Sequence, residues 1–420
     1  MSGHRRVVEW AATLHTHLPH LSKPQVMVLA LWSLGMVLAR SCALTAVSTA
    51  LAPWLQRPEN TLRQRLREFY WDAPAKRGRR RQALVVEGCF APLLAWVLSL
   101  WEGTQLALVL DATTLGTRFT VLAVSVVFRG CAIPIAWTVL PANVEKAWRP
   151  EWLRMLRQIH RAVPPTWTVI VLADRGLYAR WLFLRITRLG WHPFLRINNG
   201  GTFRPSGYPQ GVPLKTLVSQ PGGQWSGTGV AFKGRQRRLV CTLLARWEPG
   251  YQDPWFILTA LPPSVSDVCW YGLRPWIEQG FKRTKRGGWQ WQHTRMIHPE
   301  RAARLWLAIA VATLWLVSVG GEAEDTPPMG PLPDLAAHLP PPPRSHRATH
   351  LRLVSVFRRG WNLILAALLN QTPLPQGRLV PEPWPTRPPL DPLRTRLPPQ
   401  GSTGSPPTAA GGATGYRQPC

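Results

Sequence analysis

Acidic residues are scarce in this chain: its 420 residues hold 21 Asp+Glu against 50 Lys+Arg, a formal net charge of +29. A fold does not need that imbalance, whereas a polyanionic partner does, with nucleic acid the first candidate and an anionic membrane surface the second. Cysteines are few and scattered (Cys42, Cys89, Cys131, Cys241, Cys269, Cys420), with no CxxC pair and no Cys/His cluster. That spacing argues against a disulfide frame or a zinc site and fits buried thiols in a reducing compartment. The opening MSGHRRVVEW has no apolar run behind its basic residues, so no signal peptide is expected. Long hydrophobic runs are missing as well. Val26 to Ala39 and Ala83 to Leu100 are short or broken, the second by Glu87. Leu305 to Val319 is uncharged but shorter than the roughly 20 residues a membrane span needs. Buried core helices explain all three, and no membrane partner is expected.

What is present changes character along the chain. Residues 1–100 carry helical apolar periodicity and few strand signals, which predicts a helical N-terminal domain. Within it, Thr45 to Leu55 and Thr61 to Tyr70 read as helix, turn, helix, with Pro58 as breaker and Asn60 as N-cap of the second helix. That helix carries Arg63, Arg65 and Arg67, and the basic run Lys76 to Arg81 follows. Helix-turn-helix DNA recognition fits, with Arg63 and Arg67 as candidate contacts; a helical bundle with a solvated basic face fits equally well.

Over 101–197 the pattern becomes α/β. QLALVLDATT is a short apolar run ending in Asp111, and FTVLAVSVVFRG and CAIPIAWTVLPA read as two more strands joined at Arg129-Gly130. Glu151 to Ala162 is an amphipathic helix, TWTVIVLADRG a strand ending in Asp174, Ala179 to Leu189 a helix and HPFLRIN a strand. This order predicts an α/β fold with a mixed sheet. Residues 198–266 interrupt it as a β-rich insertion with a hairpin turning near Gly234. Its tip carries Lys233, Arg235, Arg237 and Arg238, and Trp225, Trp247 and Trp255 are interspersed. Cations interleaved with aromatics suit tracking of a nucleic-acid backbone with stacking on an unpaired base, although core packing explains any single tryptophan. The α/β part resumes over 267–321. A Pro-rich linker (322–349), a helical piece (350–370) and a tail (371–420) follow; the tail holds 13 of the 43 prolines and is expected to be disordered.

Two strands thus end in an aspartate, and ligands of open α/β sheets gather at the carboxyl ends of strands. If those strands are neighbours, Asp111 and Asp174 face one spot, and two carboxylates that close repel unless a cation lies between them. A turn-forming or capping role explains either one alone. It explains both less easily in a chain with eight aspartates. Further on, Tyr271, Arg274, Glu278 and Lys285 fall at spacings that place all four on one stripe of a helix. One carboxylate among phosphate-seeking groups suits holding a divalent cation against a nucleic-acid backbone; an amphipathic helix with ordinary ion pairs is the plainer alternative. His293 and His298 read as DNA-facing or structural, because no third ligand at metal spacing accompanies them. Asp111, Asp174 and Glu278 together are candidate ligands for two Mg2+ ions, with Mn2+ able to substitute.

DATT at Asp111, ADRGLY at Asp174 and the pattern Y-x2-R-x3-E-x6-K at Tyr271, Arg274, Glu278 and Lys285 resemble the DDE transposases of bacterial insertion sequences. More narrowly, they are similar to the cut-and-paste branch with the YREK signature (insertion sequence four-like), over about residues 45 to 320. The resemblance implies a ribonuclease H-like catalytic core, a DDE triad and two divalent ions. It implies nicking at the element's end, hairpin formation by the freed 3′-hydroxyl, reopening by water and joining of the 3′ ends to target DNA. Tyr271, Arg274 and Lys285 would grip phosphates near the terminus and a displaced base, in a homodimer on paired ends at the bacterial nucleoid in the cytoplasm. A nucleic-acid-binding protein, or a structure-selective nuclease without strand transfer, on the same scaffold are the alternatives.

Overall fold

The computed structural model describes residues 2–76, 82–142, 148–232, 238–325 and 354–386. The expected helical N-terminal region is present as α1 (Ser2–His17), α2 (Lys23–Ala39), α3 (Leu44–Leu55), α4 (Glu59–Tyr70) and α5 (Phe90–Ser99). Nearly every residue of α2 from Val26 to Val37 is apolar and buried, so it forms the centre around which α1, α3 and α4 pack. The second helix of the predicted pair begins earlier than Asn60. Pro58 is the N-cap and Glu59 opens α4, because the fixed φ of proline, here −58°, already suits entry into a helix. Of the basic run that follows, only Lys76 lies within the described residues.

Strands β1 (Gln105–Leu115), β2 (Phe119–Phe128) and β3 (Cys131–Pro141) form an antiparallel meander. All ten positions of β2 are buried, as expected for a strand covered on both faces. Helix α6 (Arg149–His160) leads into β4 (Thr168–Ala173), and α7 (Arg180–Arg188) into β5 (His192–Arg196). Both strands run parallel to β1, giving the order β3-β2-β1-β4-β5. This is the mixed-sheet α/β core that the sequence predicts.

The insertion comprises β6 (Thr202–Pro205), β7 (Val212–Pro213), α8 (Leu214–Leu217), β8 (Gln224–Ala231), β9 (Leu239–Arg246) and β10 (Trp255–Thr259). Its strands do not form a separate layer: β10 pairs antiparallel with β5, and the single sheet continues through β9, β8 and β6 to β7. The β8–β9 hairpin is present, but its tip, with Lys233, Arg235 and Arg237, lies outside the described residues.

Helices α9 (Trp276–Thr284), α10 (Pro299–Asp325) and α11 (Val356–Leu369) complete the body. Helix α10 is longer than its uncharged run and long enough to cross a membrane, yet 94% of its most apolar window is buried inside the protein. Its one cation in that interior, Arg304, donates to Tyr70 O, Leu84 O and Asp72 Oδ1, fastening the N-terminal helices to α10. Helices α10 and α11 cross in direct backbone contact: a Cβ on Gly360 would lie 1.8 Å from Leu316 O. The expected disorder of the tail is corrected for its first part. Residues 371–386 lie on the body, with Leu374, Leu379 and Trp384 buried and Leu379 hydrogen-bonded to Leu100 and Glu102. A few apolar anchors suffice to seat a proline-rich strand in a groove, and composition averaged over fifty residues conceals them.

Candidate active site

The register of two parallel strands builds the site. The last residues paired between β1 and β4 are Leu110 and Ala173. The next residue on each strand is the aspartate, so Asp111 and Asp174 emerge side by side on the same face. Strand β1 does not stop at Asp111, as the sequence suggests, but continues to Leu115 along β2. What ends there is β4, and its departure opens the cleft beside β1. Asp111 Oδ1 accepts from Ala112 N at 2.8 Å and Asp174 Oδ1 from Gly176 N at 2.9 Å, fixing one oxygen of each carboxylate and leaving the other to face the cleft.

The third acid arrives on α9, which lies across β1, β2 and β3. Close packing is possible because Gly280 faces Ala132, where an added Cβ would lie 2.8 Å from the alanine Cβ. The single helical stripe expected from Tyr271 to Lys285 is corrected. Tyr271 sits on a 3-10 turn (Val268–Leu273), Pro275 caps α9, Glu278 is in its first turn and Lys285 is its C-cap. Proline has no N–H to donate and clashes with the carbonyl four residues back, so one helix cannot run through position 275. The four residues nevertheless converge on the cleft.

Arg274 is the hub. Its Nη2 donates to Asp111 Oδ2 at 2.9 Å and to Asp174 Oδ2 at 3.1 Å, and its Nη1 donates to Glu278 Oε1. Three acids remote in sequence thus surround one planar cation. Lys285 Nζ reaches Thr113 Oγ1, two residues beyond Asp111, at 2.8 Å. Burial pushes the Asp111 carboxyl up to about 6, against the opposing pull of Arg274. Tyr271 is 3% exposed, and burial pushes its hydroxyl up to about 12. Its ring meets Trp255 edge-on at 5.4 Å. It therefore stands behind the cleft rather than on the surface. Burial lowers Lys285, with Arg286 adding to the effect.

Among the described residues, no group of three or more His, Cys, Asp or Glu is arranged to hold a metal ion as it stands. The acids do not form the ready cage that the sequence suggests, because the Arg274 guanidinium occupies the space between them. Their chemistry fits a divalent cation all the same: every ligand would be a carboxylate oxygen, the donor that Mg2+ and Mn2+ prefer, and one guanidinium offsets only part of the trio's charge.

Arg63 and Arg67 lie elsewhere, in a cleft of about 720 Å³ between α4 and residues 293–301. His293, Arg295, His298 and Arg301 line its other wall, so both histidines face a basic cleft. Arg295 and Arg301 carried no motif to mark them in the sequence. Lys233 and Arg235 fall outside the described residues. Trp225 packs edge-on against Phe203, and Trp247 donates to Tyr251 O; Trp255, through Tyr271, is the insertion tryptophan linked to the acids.

A family model described as the transposase DDE domain matches residues 103–315, a span that includes all three acids. Among solved structures, the piggyBac transposase synaptic complex with hairpin DNA is 12% identical, with a TM-score of 0.33 over 51% of this chain and 46% of that one. The chain therefore spans less than half the length of that transposase. No curated protein matches it.

Proposed function

Because the chain belongs to the transposase DDE domain family, we propose that it binds the ends of a mobile DNA element, cleaves them with Asp111, Asp174 and Glu278, and joins the 3′ ends to target DNA. The observation that carries this reading is the shared coordination of one guanidinium by those three acids. Divalent cations, Mg2+ by preference, would when bound supply the charge that activates a water or 3′-hydroxyl and steadies the leaving oxygen.

This chain's own residues supply the rest. The buried carboxyl of Asp111 is fixed by its own backbone, and Asp174 by the turn at Gly176, so neither needs to reorganise as substrate arrives. Arg274, released from the acids, has a rigid fork suited to a backbone phosphate beside the scissile bond. Lys285, at the end of α9 and held at Thr113 of β1, adds a second cation beside the acids. Half-buried Trp255, backed edge-on by the buried Tyr271, is the aromatic face on which a displaced base can stack, the need that a DNA hairpin intermediate creates. The YREK branch, a homodimer on paired ends and a place at the bacterial nucleoid belong to the same proposal.

The test is a nicking assay on a duplex carrying the sequence that flanks the gene, followed by joining of pre-cleaved ends to a plasmid. Cleavage and joining that require Mg2+, and that Asp174→Ala abolishes while end binding persists, support the reading. Cleavage without joining would identify a nuclease instead, and binding with neither activity a DNA-binding protein.

A further inference from the structure

A second basic groove, with no residue in common with the α4 cleft, runs between α6 and α7 and encloses about 750 Å³. Arg149 and Arg157 of α6 and Arg180, Arg185 and Arg188 of α7 line it. No described acid pairs with any of the five. The nearest charge pair on α6, Glu151 with Arg154, turns toward Thr138 instead. The Nε atoms of Arg180 and Arg185 are buried without a partner. Five like charges held this close repel one another, and a partner that brings matching negative charge relieves that cost.

The groove's chemistry narrows that partner. Its floor is apolar, with Arg149 stacked over Trp181 at 5.4 Å and Phe232 closing one side. Every polar side chain that lines it is a donor, and none is an acceptor. Such a lining grips phosphates and lacks the mixed donors and acceptors that distinguish one base edge from another. It therefore suits a duplex whose sequence varies from event to event. An element's end, which must be told apart from other DNA, needs more. The groove also has a link to the site: α7 starts at Arg180, six residues after Asp174, so its Arg180 end is tied to the acids by one short loop.

Resting on the strand-transfer reading above, we propose that the α6–α7 groove is the seat of target DNA, holding its backbone without reading its sequence while the element's end occupies the acids. The experiment uses the full chain and an Arg157→Gln/Arg188→Gln double variant; both side chains are exposed, so the fold should persist. Binding to a random-sequence duplex is measured against salt, and joining of pre-cleaved ends to a plasmid is measured beside cleavage of the flanking-sequence duplex. The double variant should bind the random duplex at least about tenfold more weakly, with a log–log salt slope smaller by about 2. Joining should fall far more than end cleavage. An Arg157→Lys/Arg188→Lys variant keeps the charge and should keep most of the slope; equal loss in both variants would mean a structural effect and overturn the proposal. Unchanged duplex binding, end cleavage lost in step with joining, or tighter binding of RNA of equal length than of the duplex would also overturn it. If the wild-type chain neither cleaves nor joins, strand transfer fails as a reading, and with it the target role. The duplex-binding arm would then show only whether the groove is a DNA seat.

Discussion

Arg274 Nη2 lies 2.9 Å from Asp111 Oδ2, an ion pair between residues 163 positions apart. The same guanidinium holds Asp174 and Glu278, so one cation from the chain offsets part of the charge of three acids. Any divalent ion that binds there must displace it, and the displaced fork is then available to a phosphate. On the proposed function, metal loading and DNA capture would be coupled through one side chain.

Arg274→Gln separates the two roles. Without their counter-charge the acids repel, so the metal-free variant should lose about 1–2 kcal/mol; the partial exposure of Glu278 keeps the loss below that of a fully buried pair. Mg2+ should raise its melting temperature more than it raises that of the wild type. Thermal melts with and without Mg2+ check this, and a variant with wild-type stability and no metal response would speak against the exchange.

The Asp111 carboxyl titrates at 3.8 in an ordinary environment and at about 6 in the fold. Between those values the folded chain holds the extra proton, so this group's contribution to stability falls as pH rises through the window and is a net cost above it. In metal-free protein, the melting temperature of Asp111→Asn relative to wild type should therefore climb from about pH 4 to about pH 7. A flat difference would contradict the assignment. Cations compete with that proton, so Mn2+ affinity measured by calorimetry should weaken below about pH 6.

Much of this was legible in the sequence, for physical reasons. Apolar runs that stop at Asp111 and Asp174 mark where the β1–β4 pairing ends, although β1 itself runs on to Leu115, and the spacing from Tyr271 to Lys285 marks Glu278. Other features were not. Pro275 divides the expected stripe into a 3-10 turn and α9, yet contacts across the cleft still gather its residues. Burial of Tyr271 depends on Trp255, in a strand of the insertion, and no local pattern reports that. The arginines of α6 and α7 form a groove only once two helices pack together.

Gly360→Ala tests the close crossing of α10 and α11. A methyl group there meets Leu316 O at 1.8 Å, so the helices must separate. The expected loss is about 1–3 kcal/mol or more, exceeding the roughly 1 kcal/mol that alanine gains in helix propensity. Chemical denaturation measures it, and a stabilised variant would refute the contact.

Arg304→Met tests how the N-terminal helices are fastened. It removes donors to Tyr70 O and Leu84 O, leaving those backbone acceptors short of a partner at a cost of about 2–3 kcal/mol, and to Asp72 Oδ1, whose half-exposed carboxylate keeps Arg301. Asp72 is held below the usual carboxylate range, first by its hydrogen bond from Arg304. The part of wild-type stability due to that bond is present above the ordinary value and lost as pH falls through the lowered one. Denaturation of both proteins at falling pH should show the gap narrowing; a constant gap would contradict the role.

The central claim is that Asp111, Asp174 and Glu278 gather around a cation, and anomalous diffraction from Mn2+-soaked crystals with bound DNA tests it most directly. The account predicts a manganese peak at about 2.0–2.2 Å from oxygens of Asp111 and Asp174, with Arg274 swung onto a phosphate. Arg274 still bridging the three acids, with no manganese beside them in crystals whose DNA has been cut, would contradict it.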